Sequence, residues 1–146
     1  MPQDLVRALS DAAALQNQSL VFVYGTLRRG GSNDIAQLGQ RAQWLGRGRV
    51  RGQLFDLGPY PGLVLGGPDW VVGELYGVDS SAQAWLDELE EVWPQRSGEY
   101  RRVQALVSRE GQSCRALVYE MDRSIARRRP LIPGGDWIEH LASRIV

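Results

Sequence analysis

Two residue types that often act as catalysts are scarce in this chain of 146 residues, which has one cysteine and one histidine. A single cysteine, Cys114, excludes an internal disulfide and fits a reducing compartment, and with no evident base beside it, it is expected to be a small packing residue. His140 has no Gly-x-Ser-x-Gly sequence to accompany it, which argues against a serine triad. The spacing of His, Cys and acidic residues resembles neither a zinc site nor an EF-hand. We therefore expect no Ser or Cys nucleophile and no metal site.

The chain also lacks a long hydrophobic run and a net charge. No apolar run approaches the ~18 residues that a membrane span needs, and the N-terminus has no basic stretch followed by an apolar one. The 17 basic and 17 acidic residues balance, so no net field favours nucleic acid or an anionic membrane over a small neutral or zwitterionic ligand. We expect a soluble, cytoplasmic protein with a small-molecule ligand and no nucleic-acid or membrane partner. The oligomeric state stays open.

The length suits a single domain, 20–146, preceded by an N-terminal helical extension, 1–19. Strands are predicted before and after one central helix, which implies an α+β fold whose curved sheet can close into a barrel. The expected strands, from hydrophobic pattern and turn residues, are 21–24, 44–57, 63–65, 71–78, 100–108 and 113–121, with turns at 59–62, 66–69 and 109–112. Helices are expected at 34–39, 82–93 and after Asp136, and a basic solvated loop at 123–129.

The stretch 21–33 passes abruptly from apolar residues into a glycine-rich polar loop. Its β-favouring start predicts a buried strand, and Gly25-Thr26 predicts a turn whose free backbone N–H groups can point at a ligand. An ordinary strand end with a glycine turn is the alternative. The sequence 28–32 lacks the Lys-Ser/Thr end of a phosphate-binding loop, so we do not interpret it as a nucleotide site.

The central helix carries carboxylates at Asp87, Glu88, Glu90 and Glu91. At about 100° per residue, Glu90 lies only about 40° from Leu86 on the apolar side, whereas the other three point progressively toward solvent. Partial burial raises the pKa of a carboxyl group and suits it to carry a proton near neutral pH. A glutamate that borders a core stripe and reaches water is the alternative.

Three further candidates lie on the last predicted hairpin. Tyr100 and Arg102 share one face of their strand, and Tyr119 lies on the partner strand. Each tyrosine offers an apolar wall and a hydroxyl group that can orient a polar ligand, with ordinary barrel packing as the alternative. Arg102 could meet a substrate carboxylate bidentately, and an exposed strand arginine is its alternative.

Several short motifs occur in an order that resembles the gamma-glutamylcyclotransferase-like, or AIG2-like, family. The matching pieces are Tyr24-Gly25-Thr26-Leu27-Arg28, Tyr60-Pro61-Gly62, Val72-Gly73-Glu74-Leu75-Tyr76, Leu86-Asp87-Glu88-Leu89-Glu90, Glu99-Tyr100-Arg101-Arg102-Val103, Val118-Tyr119 and Gly135-Asp136-Trp137. They extend over residues 20–137. The resemblance implies the fold of that family, a small mixed β-barrel with flanking helices.

The resemblance also implies a chemistry. Glu90 stands where the family has its catalytic glutamate, which acts as general acid and base, and the substrate-binding positions correspond to Tyr24, Gly25, Thr26, Leu27, Tyr100 and Tyr119. In the family reaction the α-amine of a gamma-glutamyl substrate attacks its own γ-carbonyl and gives 5-oxoproline and a free amine. That reaction needs no protein nucleophile, metal or cofactor. Glu91 replaces the glycine of the family pattern, which adds a negative charge beside Glu90 and removes a flexible residue.

Two other functions stay open. A barrel of the same fold that binds a gamma-glutamyl-like or other small ligand without catalysis is one, because a fold alone does not determine an activity. An adaptor for nucleic acid or protein that uses residues 123–129 is the other, and it would bind with strong salt dependence. The leaving amine is also open, because the possible substrates share the same gamma-glutamyl half.

Overall fold

The computed structural model describes residues 19–89 and 99–144. The elements, in chain order, are β1 (Ser19–Val23), a 3-10 helix (Ile35–Arg41), β2 (Ala42–Asp56), β3 (Pro61–Val78), α1 (Ser80–Leu89), β4 (Tyr100–Arg109), β5 (Gln112–Met121), α2 (Arg123–Ala126), β6 (Leu131–Ile132) and α3 (Trp137–Arg144). The predicted N-terminal extension lies outside the described residues apart from Ser19. Within the described ranges, no helix has the length and apolar character needed to cross a bilayer.

The six described strands form one mixed sheet that closes on itself. Neighbouring strands follow the order β3-β1-β5-β4-β2-β6, and β2 also pairs with β3. The pairs are antiparallel except for β1 and β5, which run parallel with Val21 opposite Leu117. Five strands therefore enclose a small barrel, β6 extends the sheet beyond β2, and helices flank it. The predicted α+β class and mixed-barrel fold are confirmed.

Side-chain alternation along β1 divides the hydrophobic core into two layers. Leu20 and Phe22 belong to a cluster that takes residues from all five barrel strands, so they point into the barrel. Val21 and Val23 belong to a second cluster, which also contains residues of the 3-10 helix and α1, namely Ile35, Leu38, Ala82 and Leu86. A strand buried on both faces is a continuous apolar run rather than an alternating one. Packing on both faces fixes the position of β1, and therefore also the position of the turn that follows it.

The long β2–β3 pair contradicts one predicted turn. The glycines of β2 predict either one long, bent strand or two short strands joined by a bulge. The structure has one long strand with two register shifts. At the second shift Arg51 pairs with Trp70 but Gly52 pairs with Leu65, so residues 66–69 bulge out of β3. The prediction of a turn between two strands at 66–69 is therefore wrong, because the chain continues in the same direction. Local turn chemistry cannot distinguish a reversal from a bulge, since both need glycines with positive φ.

The β4–β5 hairpin is confirmed. Its turn consists of Glu110 and Gly111, both with positive φ (53° and 79°), which is the backbone that a two-residue hairpin turn requires. Opposite residues along the hairpin include Arg102 and Tyr119. Because β5 runs parallel to β1, Tyr119 and the start of β4 at Tyr100 lie at the barrel end where β1 finishes.

The basic segment 123–129 is not simply the solvated loop that its composition predicts. Its first four residues form α2, and the carboxylate of Asp122 accepts hydrogen bonds from the N–H groups of Ser124 (2.9 Å) and Ile125 (3.2 Å). Ala126 is fully buried, whereas the three arginines that follow are exposed. A four-residue helix is too short to show hydrophobic periodicity, so only the capping aspartate marks it in the sequence.

Helix α3 is tied to β2 by His140 and Asp56. The His140 Nε2 and Asp56 Oδ2 atoms are 2.7 Å apart, and the N–H of Gly58 donates to Asp56 Oδ1 at 2.7 Å. Burial raises the pKa of Asp56, but the hydrogen bonds from His140 and Gly58 outweigh it, and the pKa falls below its ordinary value of 3.8. The only histidine therefore has a structural partner at the C-terminal helix.

We expect Asp56→Asn to lower stability at pH 7 and to flatten the loss of stability below about pH 4. A carboxyl group with a lowered pKa stabilises the fold above its unfolded pKa, and the contribution disappears as pH falls through the folded pKa. Urea unfolding at several pH values between 7 and 3 measures the effect. Asp69→Asn, which changes an exposed carboxylate, should follow the wild-type profile. Identical profiles for Asp56→Asn and wild type would show that the Asp56–His140 pair contributes nothing.

Candidate functional site

A cavity of about 290 Å³ opens at the barrel end where β1 finishes and β4 begins. Six of the seven predicted substrate-binding residues line it, namely Tyr24, Gly25, Thr26, Leu27, Tyr100 and Tyr119. Further walls come from Ser32 and Asn33, from residues 59–61, and from Leu89 and Glu99. The fold thus brings the strand-end turn and the two hairpin tyrosines, which are far apart in sequence, to one concave site.

One wall of the cavity includes Gly25, Thr26 and Leu27. These three residues form a turn with Arg28, called the 25–28 turn below. The N–H of Arg28 donates to the carbonyl of Gly25 at 3.0 Å and closes it. Within residues 19–89 and 99–144, the N–H groups of Thr26 and Leu27 donate to no protein acceptor. Such N–H groups at a cavity wall can bind a carboxylate or a carbonyl oxygen.

The polar loop that follows the 25–28 turn also forms hydrogen bonds to it. The N–H of Asn33 donates to the Thr26 carbonyl at 2.8 Å, and the Asn33 amide group reaches Thr26 Oγ1 at 3.2 Å. The N–H of Ile35 donates to the Leu27 carbonyl at 2.8 Å. Both central residues of the turn therefore have their carbonyl groups bonded to the protein, which orients their peptide planes.

The tyrosine rings of the cavity wall are held by their hydroxyl groups. Tyr24 donates to the backbone carbonyl of Tyr119 at 2.6 Å and accepts from the N–H of Leu63 at 3.3 Å. Tyr100 donates to the carbonyl of Pro61 at 2.8 Å. These bonds link the end of β1 to β3 and β5, and β4 to β3, so both tyrosines are tied to several strands of the barrel.

The hydroxyl of Tyr119 bonds to polar side chains of α1. Its hydroxyl donates to Asp87 Oδ1 at 2.7 Å, and the Gln83 amide donates to the Tyr119 hydroxyl at 2.7 Å. Arg102 pairs with the second oxygen of Asp87. This network joins α1 to the β4–β5 hairpin. It also corrects the expectation that Asp87 points to solvent, because its side chain is only 13% exposed.

Arg102 is the one predicted substrate-binding residue that does not line the cavity. Its half-exposed side chain pairs with Asp87, which also accepts a hydrogen bond from the Tyr119 hydroxyl. In this arrangement Arg102 supports Asp87. Sequence reasoning missed Asp87 and Gln83, because helical periodicity gives the direction of a polar residue relative to its own helix but not the polar atoms that another element places there.

The predicted catalytic residue, Glu90, lies outside the described residues, as does its neighbour Glu91. Helix α1 is described as far as Leu89, which is 37% exposed and lines the cavity. Glu90 is the next residue in the sequence. The catalytic role of Glu90 therefore stays a prediction, and the described part of the site is the surface that a substrate would contact.

A buried cluster of charges lies behind the 25–28 turn. Arg28 is 1% exposed, and its guanidinium contacts Glu74 Oε2 at 3.0 Å and Asp136 Oδ1 at 2.8 Å. Sequence reasoning treated Arg28 as part of a polar loop. The available signal was Glu74, a carboxylate within the apolar stretch 71–78, because a buried charge needs a buried partner.

The described structure does not favour a cysteine nucleophile or a metal ion as the catalytic group. Burial raises the pKa of the Cys114 thiol, which disfavours a thiolate nucleophile. Within residues 19–89 and 99–144, no three His, Cys, Asp or Glu side chains come together in a way that could hold a metal ion. The arrangement that is present suits hydrogen bonding and orientation of a small polar ligand.

Comparison with known proteins matches both sequence and fold. Residues 21–139 match the family described as gamma-glutamyl cyclotransferase, AIG2-like. A Vibrio cholerae protein whose name assigns it provisionally as a gamma-glutamylcyclotransferase is 41% identical over 126 residues, which cover 85% of this chain and 99% of that protein. The crystal structure of an AIG2-like protein from Mus musculus gives a TM-score of 0.65, with 29% identity over 80% of this chain and 87% of that chain. YkqA from Bacillus subtilis gives a TM-score of 0.69 with 28% identity over 88% of this chain, which spans only 43% of YkqA.

Proposed function

The chain belongs to the gamma-glutamyl cyclotransferase, AIG2-like family, and on this premise we propose that it converts a small gamma-glutamyl compound into 5-oxoproline and a free amine. The observation that carries the proposal is the cavity, where the N–H groups of the 25–28 turn and the two hairpin tyrosines meet the end of the helix that leads to Glu90. The reaction would need no cofactor and would take place in the cytoplasm. The protein would bind a small-molecule substrate, with no nucleic-acid or membrane partner.

In the proposed reaction the nucleophile comes from the substrate. The α-amine nitrogen attacks the γ-carbonyl carbon and forms the C–N bond of the five-membered lactam, and the bond from that carbon to the leaving nitrogen breaks. The attacking nitrogen loses a proton and the leaving nitrogen gains one. Glu90 would accept the first proton and donate it to the leaving nitrogen, as a general base and then a general acid.

The described residues would act by orientation and by electrostatics. The N–H groups of Thr26 and Leu27 would bind oxygen atoms of the gamma-glutamyl group, including the carbonyl oxygen on which negative charge develops. The rings of Tyr24, Tyr100 and Tyr119 would hold the substrate chain folded back on itself. Holding two reacting groups together in this way removes much of the entropic cost of ring closure.

The experiment is a panel of gamma-glutamyl compounds that differ in the leaving amine, incubated with purified protein and assayed for 5-oxoproline by mass spectrometry. Formation of 5-oxoproline from at least one compound, at a rate proportional to enzyme concentration, supports the proposal. The same panel is tested for thermal stabilisation, because a ligand that binds the folded state raises Tm. Stabilisation without product would instead identify a non-catalytic barrel that binds gamma-glutamyl compounds.

Tyr119→Phe is expected to lower kcat about tenfold and to lower stability by about 1 kcal/mol, the usual contribution of one hydrogen bond. The variant removes the hydroxyl that joins Asp87 and Gln83 to β5, so α1 loses attachments two and six residues before its described end at Leu89. Steady-state kinetics and urea unfolding measure the two effects. Arg102→Met, which weakens the same network from the exposed side, should show a smaller change in the same direction. Wild-type kcat in Tyr119→Phe would show that the network does not position the helix for catalysis.

A further inference from the structure

The side chain of Arg28 joins three separate parts of the fold. Its residue belongs to the 25–28 turn, its Nε donates to Glu74 on β3 at 3.0 Å, and its Nη1 donates to Asp136, which precedes α3, at 2.8 Å. All three side chains are shielded from solvent, with Arg28 and Glu74 at 1% and 3% side-chain exposure and Asp136 at 13%. Charges in such surroundings interact more strongly than at a surface, and their geometry is restricted.

Glu74 is bonded through both of its carboxylate oxygens. While Oε2 accepts from Arg28, Oε1 accepts from the backbone N–H of Arg29 at 2.9 Å and from the Tyr76 hydroxyl at 2.9 Å. Burial, followed by the hydrogen bond to Glu74, raises the pKa of Tyr76, so its hydroxyl stays protonated and keeps donating. Glu74 therefore holds two consecutive residues of the loop, one through its side chain and the next through its backbone.

Neither Arg28 nor Glu74 lines the cavity. Their connection to it runs through the backbone, because the N–H of Arg28 closes the turn onto the carbonyl of Gly25 and the carbonyl of Arg28 accepts from the N–H of Gly31 at 2.8 Å. A shift of the Arg28 side chain would move the peptide groups of Thr26 and Leu27, whose N–H groups are available at the cavity wall.

We infer that Arg28 and Glu74 are positioning residues, which hold the 25–28 turn in the one arrangement that presents the Thr26 and Leu27 N–H groups to a ligand. The inference rests on the proposed function for the identity of that ligand, a gamma-glutamyl group. It adds that the accuracy of the turn depends on a buried charge network outside the cavity, and that helix α3 is linked to the site through Asp136.

The test compares Arg28→Lys and Glu74→Gln with Val107→Ala. Lysine keeps the charge but has no planar fork that can bond Glu74 and Asp136 together. Glu74→Gln keeps the size of the side chain and removes its charge, and it serves as the second variant if Arg28→Lys does not fold. Val107 is a buried core residue at the opposite end of the β4–β5 hairpin from Tyr100 and Tyr119, so its truncation controls for lost stability alone.

Three quantities are measured on each folded variant: the backbone amide NMR signals of Thr26 and Leu27, the affinity for 5-oxoproline by calorimetry, and kcat/KM with the best compound of the panel. We expect the two amide signals to shift and broaden in Arg28→Lys and Glu74→Gln but not in Val107→Ala. Affinity and kcat/KM should each fall about tenfold in the first two variants, the size of effect that one misplaced hydrogen bond produces.

Unchanged Thr26 and Leu27 signals in both network variants would overturn the inference, whatever the activity. So would equal losses of affinity in the network variants and in Val107→Ala, because that result would indicate a purely structural role. Failure of the proposed function is a separate result, namely no 5-oxoproline from wild-type protein with any compound. In that case the amide signals still decide whether the charge network positions the turn.

Discussion

Glu90→Gln is expected to leave the fold and ligand binding intact and to lower turnover by about two to four orders of magnitude, the usual range for losing a general acid or base. Glutamine has nearly the same size as glutamate but cannot accept the proton of the attacking amine. The substrate would still be held by the 25–28 turn and by the tyrosines that line the cavity, so KM should change little. Steady-state kinetics with the best substrate of the panel, together with calorimetric titration of 5-oxoproline, separates the two effects.

Two neighbouring carboxylates provide matched controls for Glu90→Gln. Glu88 is exposed in the described structure, and Glu91 is predicted from the helical period to face solvent. Screening by water weakens the influence of such charges on a nearby carboxylate, so Glu88→Gln and Glu91→Gln should each change kcat only slightly. A larger loss in Glu91→Gln than in Glu90→Gln would identify Glu91 as the proton carrier. Near-normal turnover of Glu90→Gln would exclude the mechanism.

Gly25→Val is expected to abolish ligand binding before it unfolds the protein. A Cβ atom at residue 25 would lie 2.7 Å from Cγ and 2.9 Å from Cδ of Pro61, which is far closer than carbon atoms approach one another. Gly25 and Pro61 both line the cavity, so relief of the overlap must change its shape or displace the turn. A β-branched side chain also restricts the backbone of the turn. A circular dichroism melt measures the fold, and calorimetric titration of 5-oxoproline measures binding.

Thr26→Ser is the matched control for Gly25→Val. The proposed ligand contact at Thr26 is its backbone N–H, and a serine hydroxyl can still accept the hydrogen bond that Asn33 donates to Thr26 Oγ1. Affinity should therefore stay within about twofold of wild type, since no hydrogen bond is lost. If folded Gly25→Val keeps wild-type affinity, the 25–28 turn is an ordinary strand end and the binding site lies elsewhere.

Much of the architecture follows from short stretches of sequence. The apolar run of β1 predicts a buried strand, the Asp79-Ser80-Ser81 capping sequence predicts the start of α1, and Glu110-Gly111 predicts a hairpin turn. Each of these features depends on interactions within a few residues: backbone sterics, a capping hydrogen bond, or side-chain alternation. For the same reason the motif order was enough to suggest the family before any contact between the motifs was known.

The position of a bulge and the partners of polar side chains could be identified only in the folded chain. Residues 66–69 have the amino acids typical of a turn. Nevertheless, β2 pairs with β3 both before and after them, so β3 remains a single strand. Arg102 is predicted to contact substrate or to be an exposed strand arginine, and in the described structure it pairs with Asp87, a helix residue predicted to face solvent. A periodic pattern reports which face a residue shares with its neighbours in sequence, whereas a partner depends on which element lies opposite.

The sequence by itself therefore indicated β1, β2, β4 and β5, the turn after β1, the hairpin turn and a set of residues that could form a site. Only the tertiary structure decided that six of the seven predicted contact residues line one cavity, and that Arg28, Glu74 and Asp136 form a charge network behind it. Arg28 and Asp136 are 108 positions apart in the chain. Side chains so far apart in sequence come together only when the sheet closes. Removing their charges from water costs free energy, and burial of the whole hydrophobic core supplies it.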